Sequence, residues 1–130
     1  MHADERRCED LKPISEAIIG AAYEVGNVLG GGFLEKVYEN ALVFELQERG
    51  LKALQQAPLR VPYKGQTVGE YFADIIVEDR VVVEIKCVEA FSSAHVAQCL
   101  NYLKATGLNL ALLLNFQTSK VQVKRIALGG

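Results

Sequence analysis

The chain has 130 residues, 50% of them hydrophobic and 23% charged, with 3 cysteines and a formal net charge of −2. That length holds one domain with a real core and excludes two, and the composition is that of an ordinary soluble globular protein. No apolar run approaches a membrane span, and the opening "MHADERRCED" is charged where a signal peptide would be apolar, so a cytoplasmic location with no membrane partner is expected.

Residues 1–10 are expected as a flexible tail, and residues 11–130 as a single domain. Pro13 suits the first turn of a helix, behind which Ile14, Ile18, Ala21, Val25 and Leu29 (or Val28) recur at helical spacing. The glycines at 30, 31 and 32 end it. A second helix follows in "FLEKVYENALVFELQER", with Leu34, Val37, Tyr38, Ala41 and Phe44 as its apolar stripe and Gly50 as its stop. "LRVPY" and "TVGEYFADIIV" flank "KGQ" as a hairpin, and Pro62 places the first of these strands at an edge. "EDR" then separates "FADIIV" from "VVVEIK" in another hairpin. Ser92 or Ser93 can cap a third helix, "AHVAQCLNYLKAT", which Gly107 closes. "LALLLNF" is apolar on both faces and reads as a central strand, and "VQVKRIAL" completes the sheet. This order predicts an α+β or mixed α/β domain with one helix crossover inside the sheet.

Three cysteines (Cys8, Cys87, Cys99) with no CxxC spacing indicate neither a disulfide framework nor a zinc site. Cys87 and Cys99 read as small buried hydrophobes. No Ser/His/Asp set, phosphate-binding glycine loop or His/Cys cluster is present. The oddity is "VVVEIKC": alternation puts Val82, Glu84 and Lys86 on one face of an otherwise apolar strand. A three-residue loop centred on Asp79 pairs Val77 with Val81 and, counting outward, Asp74 with Glu84. Two carboxylates opposite each other repel, and a divalent cation such as magnesium relieves that most directly. The plainer alternative is an edge strand with solvated charges or a salt bridge. Gln98 and Tyr102 share a face of the third helix with His95, and Glu35 and Tyr38 lie three apart on the second. Each of these pairs alone also suits a purely structural role. The net charge of −2 lacks the basic excess usual in nucleic-acid binders, although setting aside three site carboxylates would leave +1.

"GFLEKVY", with Gly32, Glu35 and Tyr38, resembles the signature of the GxxExxY family within the PD-(D/E)XK nuclease superfamily. The resemblance continues through "YFADIIVEDRVVVEIK", "HVAQCLNYLKATG" and "LLLNF". It implies a restriction-endonuclease-like core, a mixed sheet flanked by helices in an αβββαβ order, with an extra N-terminal helix and hairpin. It also implies roles: Asp74 as the first acidic motif, Glu84 and Lys86 as the (D/E)XK pair, and Gln98 with Tyr102 as a QxxxY motif. Glu35 would be the acid contributed by an early helix. Asp74, Glu84 and, through water, Glu35 would hold Mg²⁺ (or Mn²⁺). Lys86 would orient the attacking water, Gln98 would position a ligand or phosphate, and Tyr102 would contact the backbone. Ala73 stands where the superfamily's proline is often found, and "GGG" replaces a Gly-Pro-Gly. The expected function is metal-dependent hydrolysis of DNA or RNA, with a catalytically silent nucleic-acid-binding or protein-interaction module as the alternative. A homodimer is compatible with so small a site, which has few ways to grip a long substrate.

Overall fold

Helix α1 spans Ala3–Leu29 in a computed structural model that describes the backbone of residues 3–128 and the side chains of residues 11–128. The helix thus runs back through most of the segment expected as a tail; Met1 and His2 lie outside the described residues. Pro13 sits inside the helix rather than in its first turn. Its missing N–H costs one hydrogen bond there, and nothing local to the proline distinguishes the two placements. Leu11, Ile18, Ala21, Ala22 and Val25 form the buried stripe, Leu29 is half-buried, and Val28 is 70% exposed.

Helix α2 spans Glu35–Glu48 and buries Tyr38, Glu39, Leu42, Val43 and Leu46. The expected stripe is therefore turned about one position: Leu34, Val37 and Phe44 are exposed, Tyr38 is buried, and Ala41 packs half-buried at the core's edge. Two stripes of this helix satisfy 3–4 spacing, and packing against the sheet selects the one that carries Glu39. Tyr38 anchors the preceding turn. Its hydroxyl donates to the Gly30 carbonyl (2.6 Å) and accepts from the Phe33 amide (3.1 Å), and its ring stacks on Phe116 at 4.9 Å. Gly31 passes so close to the next loop that a Cβ would stand 2.6 Å from the Gln117 carbonyl oxygen. Tyr38→Phe leaves the turn's amide and carbonyl without their partner. It should cost about 1–3 kcal/mol, read as a lower Tm with the far-UV spectrum unchanged; a Tm equal to wild type would mean that the turn does not depend on this hydroxyl.

The sheet consists of β1 (Ala53–Tyr63), β2 (Gln66–Val77), β3 (Val81–Lys86), β4 (Leu110–Asn115) and β5 (Gln122–Ala127), in the order β1-β2-β3-β4-β5. Lys64 and Gly65 (φ 46° and 81°) form the β1–β2 turn, the positive-φ pair that matches hairpin twist. After the turn at Glu78 and Asp79 the register is Val77↔Val81, Ile76↔Val82 and Ile75↔Val83, as the three-residue loop predicts. Helix α3 (Ser93–Thr106) crosses from β3 to β4, the one parallel pair. Ser92 caps it: its Oγ accepts from the His95 amide, and His95 Nδ1 accepts from the Ser92 amide. Gly107 closes it in the left-handed conformation (φ 75°). His95 is thereby committed to a structural contact.

Helices α1 and α2 cover one face of the sheet, packing on Ile75, Val77, Val83, Ile85, Leu112 and Leu114. Helix α3 covers the other, over Val82, Ala111, Leu113 and Ile126. β4 is buried throughout, as its two-faced apolarity requires. The result is a mixed α+β domain, a five-stranded sheet between helices. The hairpin expected as an addition proves to be the far ends of β1 and β2, themselves the first two core strands, so α1 and β5 are the elements outside the αβββαβ order. Among the described residues no helix is long and apolar enough to cross a membrane.

Candidate active site

The β2–β3 ladder stops at Ile75↔Val83, one pair short of Asp74 and Glu84. There the strands part, and each carboxylate reaches across to the backbone of the opposite strand. The Asp74 amide donates to Glu84 Oε2 (2.7 Å), and the Ile85 amide donates to Asp74 Oδ2 (2.8 Å). Two backbone amides freed by the parting strands are thus satisfied by the two acids themselves. β2 also changes face at this point. Ile75 packs under α1 and α2 whereas Ala73 packs under α3, although strict alternation would put both on one side. At the matching point of β1, Gln56 takes a positive φ of 52°, a conformation uncommon outside glycine. The irregularity re-aims Asp74 out of the ladder, as bulged strands do beside active sites.

Glu84 is 3% exposed and Asp74 is half-buried. Burial, the neighbouring Asp74 charge and the more distant Glu39 push the Glu84 carboxyl up to about 8. Asp74 is also raised, by burial first and then by Glu39, against the opposing Ile85 amide and Lys86 ammonium. Lys86 pulls Glu84 the same way. Burial and mutual repulsion thus favour a proton on the pair near neutrality. The half-buried Lys86 closes β3, two residues beyond Glu84 on the same side and beside Asn115 of β4. Asn115 fixes the loop after β3, accepting from the Val88 amide (3.1 Å) and donating to the Val88 carbonyl (2.7 Å).

From α3, Tyr102 joins the site: burial and the Glu84 and Asp74 charges push its hydroxyl up to about 12. Cys99, one turn earlier and fully buried, is pushed up to about 12, first by burial and then by Glu84, which suits an inert packing residue. Gln98 is half-buried on the same helix. Among the described residues Glu35 makes no hydrogen bond to either acid. Its Oε2 accepts from the Cys87 amide (3.2 Å), and it lines an open cleft of about 640 Å³ with Phe33, Lys36 and Gln117.

The α2 acid that does act on Asp74 and Glu84 is Glu39, 4% exposed and one turn further along. Its Oε2 accepts from Gln55 Nε2 (2.7 Å), Gln56 Nε2 (3.0 Å) and Lys36 Nζ (3.0 Å). Gln56 Nε2 also lies 3.5 Å from Asp74 Oδ1, so it links the two acids. Glu39, Gln55 and Gln56 escape a reading of the sequence, although an acid in step with Leu42 and Leu46 on a helix face is the signal that could have exposed Glu39.

Among the described residues no three acids, cysteines or histidines converge closely enough to hold a metal ion unaided. Asp74 and Glu84 nevertheless suit a hard cation. Each has one oxygen committed to a backbone amide, and their mutual repulsion in a buried setting is what a cation offsets. Water and substrate oxygens would complete such a site, the usual state of protein-bound magnesium.

Comparisons with curated proteins and with solved structures gave no match. The PD-(D/E)XK nuclease superfamily profile matches residues 12–126. That span runs from α1 through β5 and includes the parted strands with their acids and lysine, so the chain belongs to the PD-(D/E)XK nuclease superfamily.

Proposed function

We propose that the chain is a divalent-cation-dependent phosphodiesterase of the GxxExxY group, acting on DNA or RNA. The observation that carries this reading is the break in the β2–β3 ladder at Asp74 and Glu84. There a buried and a half-buried carboxylate are held by backbone amides with a lysine on the same side. A salt bridge or solvated edge would not require the strands to part, and Glu84 is too deeply buried to be solvated.

Asp74 and Glu84 would hold Mg²⁺ or Mn²⁺, which when bound lowers the pKa of water and neutralises charge on a phosphate. The Asp74 and Ile85 amides fix the two carboxylates, so the acids need not reorganise as charge develops. Lys86 would orient the attacking water or stabilise charge on the phosphate oxygens. Tyr102, beside the acids, would contact the nucleic-acid backbone, and Gln98 would hold a phosphate or ligand from one turn earlier. Gln56 links Asp74 to Glu39 from behind, and Glu35 would reach the cation through water.

Calorimetric titration with Mg²⁺ and Mn²⁺, together with cleavage assays on single-stranded DNA, duplex DNA and RNA, tests the reading. Wild type should bind the cation and cleave at least one substrate, and Asp74→Ala and Glu84→Ala should lose both. Absence of cation binding by wild type would sink it. Nucleic-acid binding with no cleavage would instead favour the catalytically silent module.

A further inference from the structure

Beyond Ile75, β2 leaves β3 and is carried by β1 alone, so residues 57–73 form a two-stranded arm that begins beside the acid pair, Ala73 being next to Asp74. On its α3-facing side the base of the arm is packed: Leu59 and Ala73 are buried against Cys99, Tyr102 and Leu103. Tyr71, paired with Leu59 on that side, is different. It is 53% exposed, its ring centroid lies 6.0 Å from that of Tyr102, and Gly69 beyond it contributes no side chain. A Cβ at Gly69 would touch the Tyr71 ring edge at 3.8 Å. Tyr102 in turn lies in one packed cluster with Ala73, the residue before Asp74. A continuous aromatic path therefore leads from the acids to an uncovered ring.

We propose that Tyr71 is a base-stacking platform that selects single-stranded nucleic acid and holds the base next to the phosphate at Asp74 and Glu84. The assignment rests on the phosphodiesterase reading of those acids. A flat ring takes any base by its face, and only an unpaired strand offers base faces; stacked duplex bases do not. The arm brings one acid and two cations within residues 57–73, Glu70 against Arg60 and Lys64, which is too little charge for a grip on phosphates alone. A second copy of the chain joined edge to edge is disfavoured, because Pro58 and Pro62 remove two donors from the outer strand of the arm.

Phe72 supplies the control. It is next in the chain and equally exposed (50%), but alternation turns it to the opposite face. Anisotropy of a short fluorescein-labelled oligothymidylate in EDTA, where cleavage does not interfere, should show Tyr71→Ala weakening binding roughly tenfold, the scale of one base stack. Phe72→Ala should match wild type, and the same sequence annealed into a duplex should bind weakly and without regard to Tyr71. The chain contains no tryptophan, so Tyr71→Trp introduces a single indole whose fluorescence the oligonucleotide should quench. Equal loss in Tyr71→Ala and Phe72→Ala, equal binding of duplex and single strand, or an unquenched indole would overturn the assignment. So would a Tyr71→Ala effect on self-association in place of oligonucleotide binding. Cleavage of duplex that ignores Tyr71 would overturn it and leave the phosphodiesterase standing. Tyr71-dependent binding by a chain that cleaves nothing would do the reverse.

Discussion

Lys86→Ala should reduce phosphodiester cleavage by about 10²–10³-fold while leaving cation binding close to wild type, the effect expected of removing one preorganised charge from a reacting centre. The argument rests on what Lys86 does and does not hold. Its backbone carbonyl accepts from the Phe116 amide (2.9 Å), a contact that alanine keeps. Among the described residues its ammonium makes no hydrogen bond or ion pair, although its charge draws both Asp74 and Glu84 towards ionisation. Substitution therefore removes a charge facing the site without orphaning a buried partner, and thermal stability should barely change. A cation would still find both carboxylates in place. Lys86→Arg keeps the charge but exchanges a compact ammonium for a planar fork, and an intermediate rate is expected. Calorimetry and cleavage kinetics on the same preparations give the answer. Unchanged cleavage in Lys86→Ala would exclude the lysine from the reaction and point to a contaminating nuclease.

Locally encoded features of this fold are legible in the sequence, and features fixed by tertiary context are not. Ser92 and Gly107 bound α3 because capping chemistry lies in the capping residues themselves, and the Glu78–Arg80 turn sets the β2–β3 register for the same reason. That register places Asp74 opposite Glu84 and so exposes the centre of the site. Continuing the ladder one pair too far is the natural error. Nothing in the alternation of "FADIIV" shows that two carboxylates will take the backbone amides, or that Ala73 will change face. The α2 stripe is ambiguous for a related reason. Leu34, Val37 and Phe44 are as apolar as Leu42, Val43 and Leu46, and only the sheet beneath decides which set is buried. With the helix turned, Glu39 faces the acid pair, and Glu35 is left to hold the Cys87 amide at the mouth of the cleft. Motif spacing conveys that α2 offers acids, while which of them is buried is decided by packing.

Glu84→Gln should stabilise the cation-free protein, and increasingly so as pH rises. Glu84 has an ordinary carboxyl value of 4.5 and is pushed up to about 8 in the fold by burial and by Asp74. Between these values the native state binds more protons than the unfolded chain, so stability falls as pH rises. The contribution of the neutral carboxyl is fully present below about pH 4.5 and is lost as pH climbs through about 8. Asp74 is raised as well, for the same first cause, and adds to the trend with the same sign. Above that range wild type must either hold a buried and a half-buried charge side by side or open the parted strands, a burden on the order of a few kcal/mol. Glutamine has the same shape and does not ionise, and its side-chain oxygen can still accept from the Asp74 amide. The two proteins should therefore melt together near pH 5, separate progressively between about pH 5 and 8 and stay apart above, with the variant higher. Adding Mg²⁺ should reverse the order. The cation supplies the missing counter-charge, displaces the Glu84 proton and raises the Tm of wild type most at alkaline pH, while Glu84→Gln responds little. Calorimetric melts across this range, with and without Mg²⁺, decide the matter. A wild type that is no less stable at pH 9 than its glutamine variant would mean that the two carboxylates do not burden the fold, and the electrostatic case for a cation between them would fail with it.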